Sequence, residues 1–221
     1  MVIAVIPAYN EAKTIGGVVQ ATLPFVDAVL VVDDGSSDET GTVAAGAGAR
    51  VVRHVLNRGL GATLGTGIQA AVRAGASYVV TLDADGQHDP QEIEKLLNPL
   101  RRDLADVVLG SRLLISVGMP PARRIANQLG NLLTFLLFGI FVTDSQSGFR
   151  AFNRQAAAVI RLRSNRMAVS SEIVAEIGRH DLRLAEVPVR PIYTEYSLSK
   201  GQNFRVGLRT LYHLLLRRIG R

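Results

Sequence analysis

The sequence contains no cysteine, and aromatic residues make up only 5% of it. Without cysteine there is no disulfide bond, thiolate metal ligand or thiol nucleophile, so any metal must be held by oxygen or imidazole. Few aromatic rings are available to stack on unpaired bases, and we expect no nucleic-acid partner. Low-complexity tracts are also missing, and 48% of the residues are apolar, which excludes a disordered chain.

Membrane-targeting segments are missing as well. The chain enters the apolar run Val2–Ile6 directly, without the basic leader and cleavage site of a signal peptide. The apolar stretch Leu132–Val142 has roughly half of the ~20 residues that a spanning helix needs. We therefore expect a cytoplasmic protein, and the absence of cysteine agrees with a reducing compartment.

Charge is divided unevenly along the chain. Residues 1–100 carry 6 basic and 11 acidic side chains and residues 101–221 carry 19 and 8, which gives the net charge of +6. A basic half attracts nucleic acid, anionic lipid or a phosphorylated ligand through the same Coulomb force, so its sign alone does not choose among them. The length of 221 residues suits one large domain, and we expect a single domain over 1–221.

Short apolar runs alternate with helix-length segments through the first half. The runs predict buried parallel strands at Val2–Ile6, Ala28–Val32, Arg50–Val55, Tyr78–Leu82 and Val107–Gly110. The predicted helices are Lys13–Leu23, Glu39–Ala47, Leu60–Ala74 and Pro90–Leu100. This alternation is typical of an α/β doubly wound sheet, whose ligands bind beyond the carboxyl ends of the strands. The polar loops that follow the first, second and fourth strands should therefore share one rim.

Asp83-Ala84-Asp85, which follows the fourth strand, provides two carboxylates one residue apart. Mg²⁺ and Mn²⁺ prefer oxygen ligands, commonly one or two carboxylates together with substrate phosphates. Gln87 adds an amide oxygen and His88 an imidazole. Alone, the pair of acids also fits a solvated turn that caps the helix at Pro90. The acidic loops on the same rim favour a metal and diphosphate site.

Other residues of this rim admit a binding or a structural role. Asp34 follows the second strand, where an acidic residue commonly contacts a ribose or base, although Gly35-Ser36-Ser37 is also ordinary turn chemistry. Glu11 can cap the first helix, and Tyr9 can pack on a base or merely cover the strand end. Gly59-Leu60-Gly61 is not a complete dinucleotide-binding motif and does not follow the first strand.

Six motifs extend in order over nearly the whole chain. They are Pro7-Ala8-Tyr9-Asn10-Glu11, Val32-Asp33-Asp34-Gly35-Ser36, Gly59-Leu60-Gly61, Asp83-Ala84-Asp85-Gly86-Gln87-His88, Gly110-Ser111-Arg112 and Ser147-Gly148-Phe149-Arg150. In this order and spacing the chain resembles glycosyltransferase family 2, and more narrowly its dolichol- and polyprenyl-phosphate mannose or glucose synthases. The resemblance implies a GT-A type fold, with a Rossmann-like, mostly parallel sheet flanked by helices. It also implies inverting transfer from a sugar nucleotide to a lipid phosphate, with Mg²⁺ or Mn²⁺ as cofactor.

The resemblance assigns roles to residues of both halves. It implies that 1–110 binds the nucleotide sugar and metal and that 111–221 binds the acceptor. Nucleotide or sugar contacts are implied for Pro7, Tyr9, Glu11, Val32, Asp34, Asp83, Ala84, Asp85, Arg112 and Lys200. Metal ligation is implied for Asp85 and Gln87, and the catalytic set is Asp83, Asp85 and Arg112.

The acceptor phosphate is expected to bind Arg112, Arg123 and Arg124, because a guanidinium pairs with phosphate oxygens in bidentate fashion. For Arg123 and Arg124 a solvated or lipid-facing patch is the alternative. An acceptor phosphate is already ionised and needs little base catalysis, whereas a hydroxyl acceptor would need Asp83 or Asp144 as base. A non-catalytic nucleotide-binding module would leave Gln87, the Ser-Gly-Phe-Arg segment and the basic second half unexplained. A peripheral membrane scaffold is a further alternative.

Two departures from the family pattern affect the expected substrates. The mannose synthases have an arginine six residues before the lysine that matches Lys200, whereas this sequence has Thr194, with Arg190 nearby. The donor is therefore left open between GDP-mannose and UDP-glucose types. The sequence also reaches Arg221 without the transmembrane helices of many relatives. We expect peripheral membrane contact, made directly or through a membrane-protein partner.

Two segments of the second half are candidates for that contact. Arg123–Val142 predicts a helix that is either buried in the core or lies in a membrane interface. Phe204–Ile219 predicts a basic amphipathic helix that either binds a membrane or docks on the protein. The fold is thus expected to end in C-terminal amphipathic interface helices.

Overall fold

Seven strands form one mixed sheet in the order β3-β2-β1-β4-β6-β5-β7 in the computed structural model, which describes residues 1–115, 121–162, 168–190 and 192. The strands are β1 (Val2–Ala8), β2 (Ala28–Asp33), β3 (Arg50–Arg53), β4 (Tyr78–Thr81), β5 (Val107–Ser111), β6 (Arg150–Asn153) and β7 (Leu184–Pro188). All paired neighbours are parallel except β6, which is antiparallel to β4 and β5. The predicted α/β, mostly parallel sheet is confirmed.

Helices cover the sheet and follow the predicted alternation through β5. They are α1 (Ile15–Thr22), α2 (Thr40–Gly46), α3 (Leu60–Arg73), α4 (Ile93–Arg101), α5 (Pro121–Phe138), α6 (Arg154–Val159) and α7 (Ala168–Arg179). Short 3-10 turns lie at Leu23–Phe25 and Pro90–Glu92. The first helix begins at Ile15, later than the predicted Lys13, and follows a turn in which the Glu11 carbonyl accepts hydrogen bonds from the amides of Thr14 and Ile15.

The core lies on both faces of the central strands. Every residue of β1 is buried, and alternate residues of a strand point to opposite faces. Ala4 and Ile6 therefore pack in a cluster with Leu96 of α4, whereas Ile3 and Val5 pack with Ile68 of α3. Burial on both faces explains why the first strands read as continuous apolar runs.

The antiparallel strand β6 was absent from the predicted pattern. Its first residue, Arg150, pairs with Thr81 near the end of β4 and with Leu109 near the end of β5. An antiparallel strand begins where its parallel neighbours end, so Ser147–Arg150 reaches the rim that carries the acidic loops. The second half thereby contributes directly to the crevice of the first.

The helix predicted at Arg123–Val142 is present as α5 but ends at Phe138. Gly139 follows with φ +72°, a left-handed conformation that glycine adopts without strain and that commonly ends a helix. Within the described ranges, no helix is both long enough and apolar enough to cross a bilayer. Lys200, Thr194 and the predicted helix Phe204–Ile219 lie outside the described residues.

Candidate active site

Asp83 is fixed at the rim by contacts from two directions. The ring of His88 donates a hydrogen bond from Nε2 to Asp83 Oδ2 at 3.0 Å, and this buried ring packs on Phe149 with centroids 5.1 Å apart. On the other side lies Gly148, where a Cβ atom would stand only 2.6 Å from the Asp83 carboxyl carbon. A side chain at position 148 would displace the carboxylate, which explains the glycine of the Ser-Gly-Phe-Arg motif.

The pKa values of the Asp83 and Asp85 carboxyl groups are shifted in opposite directions. Burial acts to raise the pKa of Asp83, but the His88 hydrogen bond and the positive charges of Arg150 and Arg112 outweigh it, so the pKa is lowered. The pKa of Asp85 is raised, first by burial and then by the negative charge of Asp83. Two neighbouring carboxylates that repel each other form a place where a cation is stabilised.

Asp85 and Gln87 lie together, as the sequence predicts. The Gln87 backbone amide donates to Asp85 Oδ1 at 3.1 Å, and the Gln87 side-chain amide donates to the other carboxylate oxygen. Carboxylate and amide oxygens suit a hard divalent cation, so the donor set fits Mg²⁺ or Mn²⁺. No cluster of three or more histidine or acidic residues able to hold a metal occurs in the described part of the chain. A metal here would need further oxygen ligands, such as those of a diphosphate.

Arg112 makes a bidentate ion pair instead of presenting its whole guanidinium to the crevice. Its Nε and Nη2 atoms donate to the two oxygens of Asp144 at 2.7 and 2.9 Å, and the Asp144 side chain is fully buried. Glu186 of β7 holds the same loop by accepting from the backbone and hydroxyl of Thr143 at 2.9 and 2.8 Å. Asp144 is thus the counterion of Arg112, a position that leaves it poorly suited to act as a base.

The residues expected to hold the nucleotide lie at the ends of β1 and β2. Pro7 and Val32 are buried, and Tyr9 is 47% exposed beside them. Ala84 is buried at the start of the loop after β4. Glu11 accepts a hydrogen bond from the Thr14 hydroxyl at 3.2 Å, so it supports the start of α1 in addition to any role toward a ligand.

Asp34 is buried and binds the glycine turn of the same chain. Its carboxylate accepts from the amides of Arg58 and Gly59 at 2.9 and 2.8 Å and from His54 Nδ1 at 2.7 Å. Burial acts to raise the pKa of Asp34, but these hydrogen bonds together lower it. The Gly59-Leu60-Gly61 turn is therefore tied to a carboxylate of the protein, and sequence reasoning missed His54 as its partner.

A cavity of about 210 Å³ opens between the two halves beside Asp83. Its wall includes Pro7 of β1, Leu60 and Leu64 of α3, and the buried Arg150 of β6. The motif containing Arg150 was recognised in the sequence, but no role was predicted for the arginine. Arg123 and Arg124 lie in the first turns of α5, and Lys200 lies outside the described residues, so their assignments stay predictions.

The sheet, the acidic rim and the cavity agree with the family that the sequence matches. The sequence matches the description "Glycosyl transferase family 2" over residues 3–161, and the chain belongs to this family. It is a glycosyltransferase, which sets aside the non-catalytic module and the membrane scaffold as its primary role.

Two curated relatives narrow the likeness within the family. The chain is 35% identical to UDP-N-acetylglucosamine--dolichyl-phosphate N-acetylglucosaminyltransferase of Methanococcus voltae, over 100% of this chain and 97% of that protein. It is 32% identical to undecaprenyl-phosphate mannosyltransferase of Micrococcus luteus, over 93% of this chain and 89% of that protein. The predicted likeness to polyprenyl-phosphate sugar transferases is confirmed.

A solved structure supports the fold. Glucosyl-3-phosphoglycerate synthase from Mycobacterium tuberculosis, in complex with Mn²⁺, uridine diphosphate and glucosyl-3-phosphoglycerate, matches with a TM-score of 0.77 at 23% identity. The match covers 100% of this chain and 80% of that one. At this identity the likeness shows the fold, which is of the predicted GT-A type.

Proposed function

We propose that this enzyme transfers a hexose, with inversion, from a sugar nucleotide to a polyprenyl or dolichyl phosphate, using Mg²⁺ or Mn²⁺. The observation that carries the proposal is the pair Asp83 and Asp85, held at the rim between the nucleotide loops and the Arg112–Asp144 pair. The dolichyl- and undecaprenyl-phosphate transferases among the relatives support the acceptor class. The Mn²⁺ in the solved structure of similar fold supports the cofactor.

The donor diphosphate is assigned to the side of Asp85. Asp85 and Gln87 would hold the cation, which when bound neutralises charge on the departing nucleotide diphosphate. Asp83 stays ionised at neutral pH because its pKa is lowered, and it is held ready to orient a sugar hydroxyl. Its fixed orientation favours positioning, which can contribute much of the acceleration in such a transfer.

A phosphate acceptor fits the crevice better than a hydroxyl. The phosphate oxygen that attacks the anomeric carbon is already ionised, so no base must remove a proton. Asp144 is committed to Arg112 by a buried bidentate pair, and Asp83 has a lowered pKa, which makes both poor bases near neutral pH. A non-lipid hydroxyl acceptor is the second candidate, and among the carboxylates that the structure describes only Asp83 lines the cavity to serve it.

An apolar surface formed by α5 and by Phe141, which follows this helix, supports a lipid acceptor. Leu129, Leu132, Phe135 and Phe141 are all more than 40% exposed, although large exposed apolar patches are rare on soluble monomers. A groove of about 470 Å³ runs beside them and is lined at one end by Leu113 and Thr143, the neighbours of Arg112 and Asp144. We assign this groove to the isoprenoid chain, with its phosphate toward Arg112. The same face would place the enzyme on a membrane surface or against a membrane-protein partner.

The test is transfer by the purified full chain. The enzyme would be incubated with GDP-mannose, UDP-glucose or UDP-N-acetylglucosamine, polyprenyl phosphate in detergent, and Mg²⁺, Mn²⁺ or EDTA. We expect nucleoside diphosphate release and an equal amount of sugar in the organic phase with one donor, both abolished by EDTA. Release of nucleoside diphosphate that requires a soluble hydroxyl compound and gives no lipid-linked sugar would overturn the proposed acceptor and favour the second candidate.

A further inference from the structure

Arg150 is a buried cation that the reaction described above does not use. It is 2% exposed and begins β6, where its backbone pairs with Thr81 and Leu109. Burying a guanidinium is costly unless it is paired and hydrogen-bonded. The position of Arg150 at the active rim therefore needs an explanation beyond packing.

The protein satisfies this side chain incompletely. A guanidinium carries five N–H donors, and Nη2 of Arg150 donates to Ser170 Oγ at 2.8 Å. Among the residues that the structure describes, no carboxylate lies within ion-pair distance of Arg150. Burial lowers its pKa to about 10, so it is still charged at neutral pH. Arg150 lines the cavity beside Asp83, and within the described residues its guanidinium makes no other hydrogen bond than the one to Ser170.

A second incompletely satisfied group lines the same cavity. Gln146 Oε1 is buried, and no hydrogen-bond partner for it exists in the described part of the protein. A buried acceptor without a partner costs about 1–3 kcal/mol, and most such groups in proteins are paired. Arg150, which carries N–H donors, and Gln146, which carries an amide oxygen, thus line one cavity together with Asp83.

The chemistry of this wall selects a neutral ligand that both donates and accepts hydrogen bonds. Asp83 and Arg150 balance each other in charge, so an anion would meet the Asp83 carboxylate and a cation would meet Arg150. The volume of about 210 Å³ is below the roughly 300–1,000 Å³ of pockets for drug-sized ligands, so the cavity has room for a group smaller than a whole sugar nucleotide. A hexose ring satisfies both conditions.

We propose that Arg150 and Gln146 bind the hydroxyl groups of the donor hexose and determine which sugar the enzyme accepts. Arg150, held by Ser170, donates to a ring substituent, and Gln146 Oε1 accepts from a neighbouring hydroxyl. Leu60 and Leu64 close the apolar side of the cavity. This inference rests on the proposed function, because it requires a sugar-nucleotide donor, but it does not depend on the acceptor.

The test compares binding of the nucleoside diphosphate with binding of the whole sugar nucleotide. Both would be titrated calorimetrically with Mn²⁺ and without acceptor, using wild type, Arg150→Gln, Arg150→Lys and Gln146→Met. For Arg150→Gln we expect nucleoside diphosphate affinity within about twofold of wild type and sugar-nucleotide affinity reduced about 30-fold. Arg150→Lys should recover part of that loss, and Gln146→Met should lose about fivefold.

Donors lacking one hydroxyl identify the contact. If Arg150 or Gln146 binds a given hydroxyl, a donor without that hydroxyl should bind wild type more weakly. The same donor should bind the variant no more weakly than the complete donor does, which is the signature of coupling in a double-mutant cycle. Arg154→Gln is the matched control, because this exposed arginine follows the same strand and its Nη1 donates to the Ala76 carbonyl at 3.0 Å. It should leave both affinities unchanged.

Two outcomes would overturn the inference. One is that Arg150→Gln loses affinity equally for nucleoside diphosphate and for sugar nucleotide. The other is that, for every deoxygenated donor, the effect of the missing hydroxyl on binding adds to the effect of the substitution. If Arg150→Gln does not fold, Ser170→Ala and Arg150→Lys carry the same comparison. Failure of lipid transfer by wild type, with coupled donor binding intact, would reject the proposed acceptor and leave the sugar site standing.

Discussion

The side of the crevice that we assign to the donor and the side that we assign to the acceptor are stabilised in different ways. On the proposed donor side, the Asp34 carboxylate accepts hydrogen bonds from the backbone amides of Arg58 and Gly59 and from His54. On the acceptor side, Asp144 is met by the full charge of Arg112. The amides that hold Asp34 belong to the glycine turn, whereas a buried ion pair fails strongly when one partner is lost. The proposed donor side is thus held by hydrogen bonds to this turn, and the proposed acceptor side by an ion pair beside an apolar groove.

The largest expected effect is on the cation site between the two sides. Asp85→Ala should lower kcat at saturating Mn²⁺ by about 10³-fold or more, because the charge of the leaving diphosphate is then neutralised less well. Sugar transfer to polyprenyl phosphate measures it. Asp89→Ala is the matched control, since Asp89 caps the following turn by accepting from the Gln91 amide at 3.0 Å. Full activity of Asp85→Ala would refute the metal assignment.

Gly148→Ala should break the contact between the halves. The added Cβ would stand 2.6 Å from the Asp83 carboxyl carbon and force the carboxylate to move. A displacement of this size costs about 10²-fold in transfer rate, while nucleoside diphosphate binding should change little. Gly17→Ala in α1, where the added Cβ meets nothing within 4 Å, should keep the wild-type rate. An unchanged rate in Gly148→Ala would mean that Asp83 need not stay where it is.

Substitutions in the apolar surface at α5 and Phe141 should change the use of the lipid acceptor and leave the use of the donor unchanged. Leu132→Ser combined with Phe141→Ser should raise KM for polyprenyl phosphate and weaken liposome binding, each about tenfold, from the apolar area that is lost. Donor KM should not change. Leu104→Ser is the control, because Leu104 is equally exposed but precedes β5 at the opposite rim. An equal effect of the control would show that general surface hydrophobicity is responsible.

The smallest expected effect lies away from the crevice and concerns acid stability. The side-chain hydrogen bond from Arg183 is the main cause that lowers the pKa of Asp106 to about 2, below its unfolded value. This group therefore stabilises the fold above about pH 4, and the contribution is lost as the pH falls toward 2. Asp106→Asn should lower the free energy of unfolding at pH 7 by about 1 kcal/mol, allowing for the solvent exposure of Arg183.

Denaturant unfolding at several pH values measures this contribution. The difference between Asp106→Asn and wild type should shrink between pH 4 and 2. Glu94→Gln, which removes an exposed ion pair with Arg101, should change stability by no more than about 0.5 kcal/mol at any pH. A difference between Asp106→Asn and wild type that does not depend on pH would show that packing, and not charge, is responsible.

The sequence predicted the donor side well because its signals are local. Strands buried on both faces leave continuous apolar runs, and the acids that follow them must share one rim. The strands β6 and β7 were not predicted because they have only four and five residues, among them the polar Arg150, Asn153 and Glu186. Such short segments show no recognisable apolar pattern, and they become strands because they pair with their neighbours in the folded sheet. The Asp144 partner of Arg112 and the His54 partner of Asp34 were missed for the same reason, since each contact joins residues distant in sequence.

The pairing of Leu109 with Arg150 has a consequence for redesign. Residues 112–149, which contain Arg112, α5 and most of the apolar groove, leave the sheet after β5 and re-enter it at β6, the neighbouring strand. A segment with adjacent, fixed ends can be exchanged for one of different length at little entropic cost, because closure entropy grows slowly with length. The proposed acceptor portion could thus be exchanged, provided that Gln146 and Gly148, which line the cavity beside Asp83, are kept. Grafting the corresponding segment of a relative, with these two residues retained, offers a route to new acceptors.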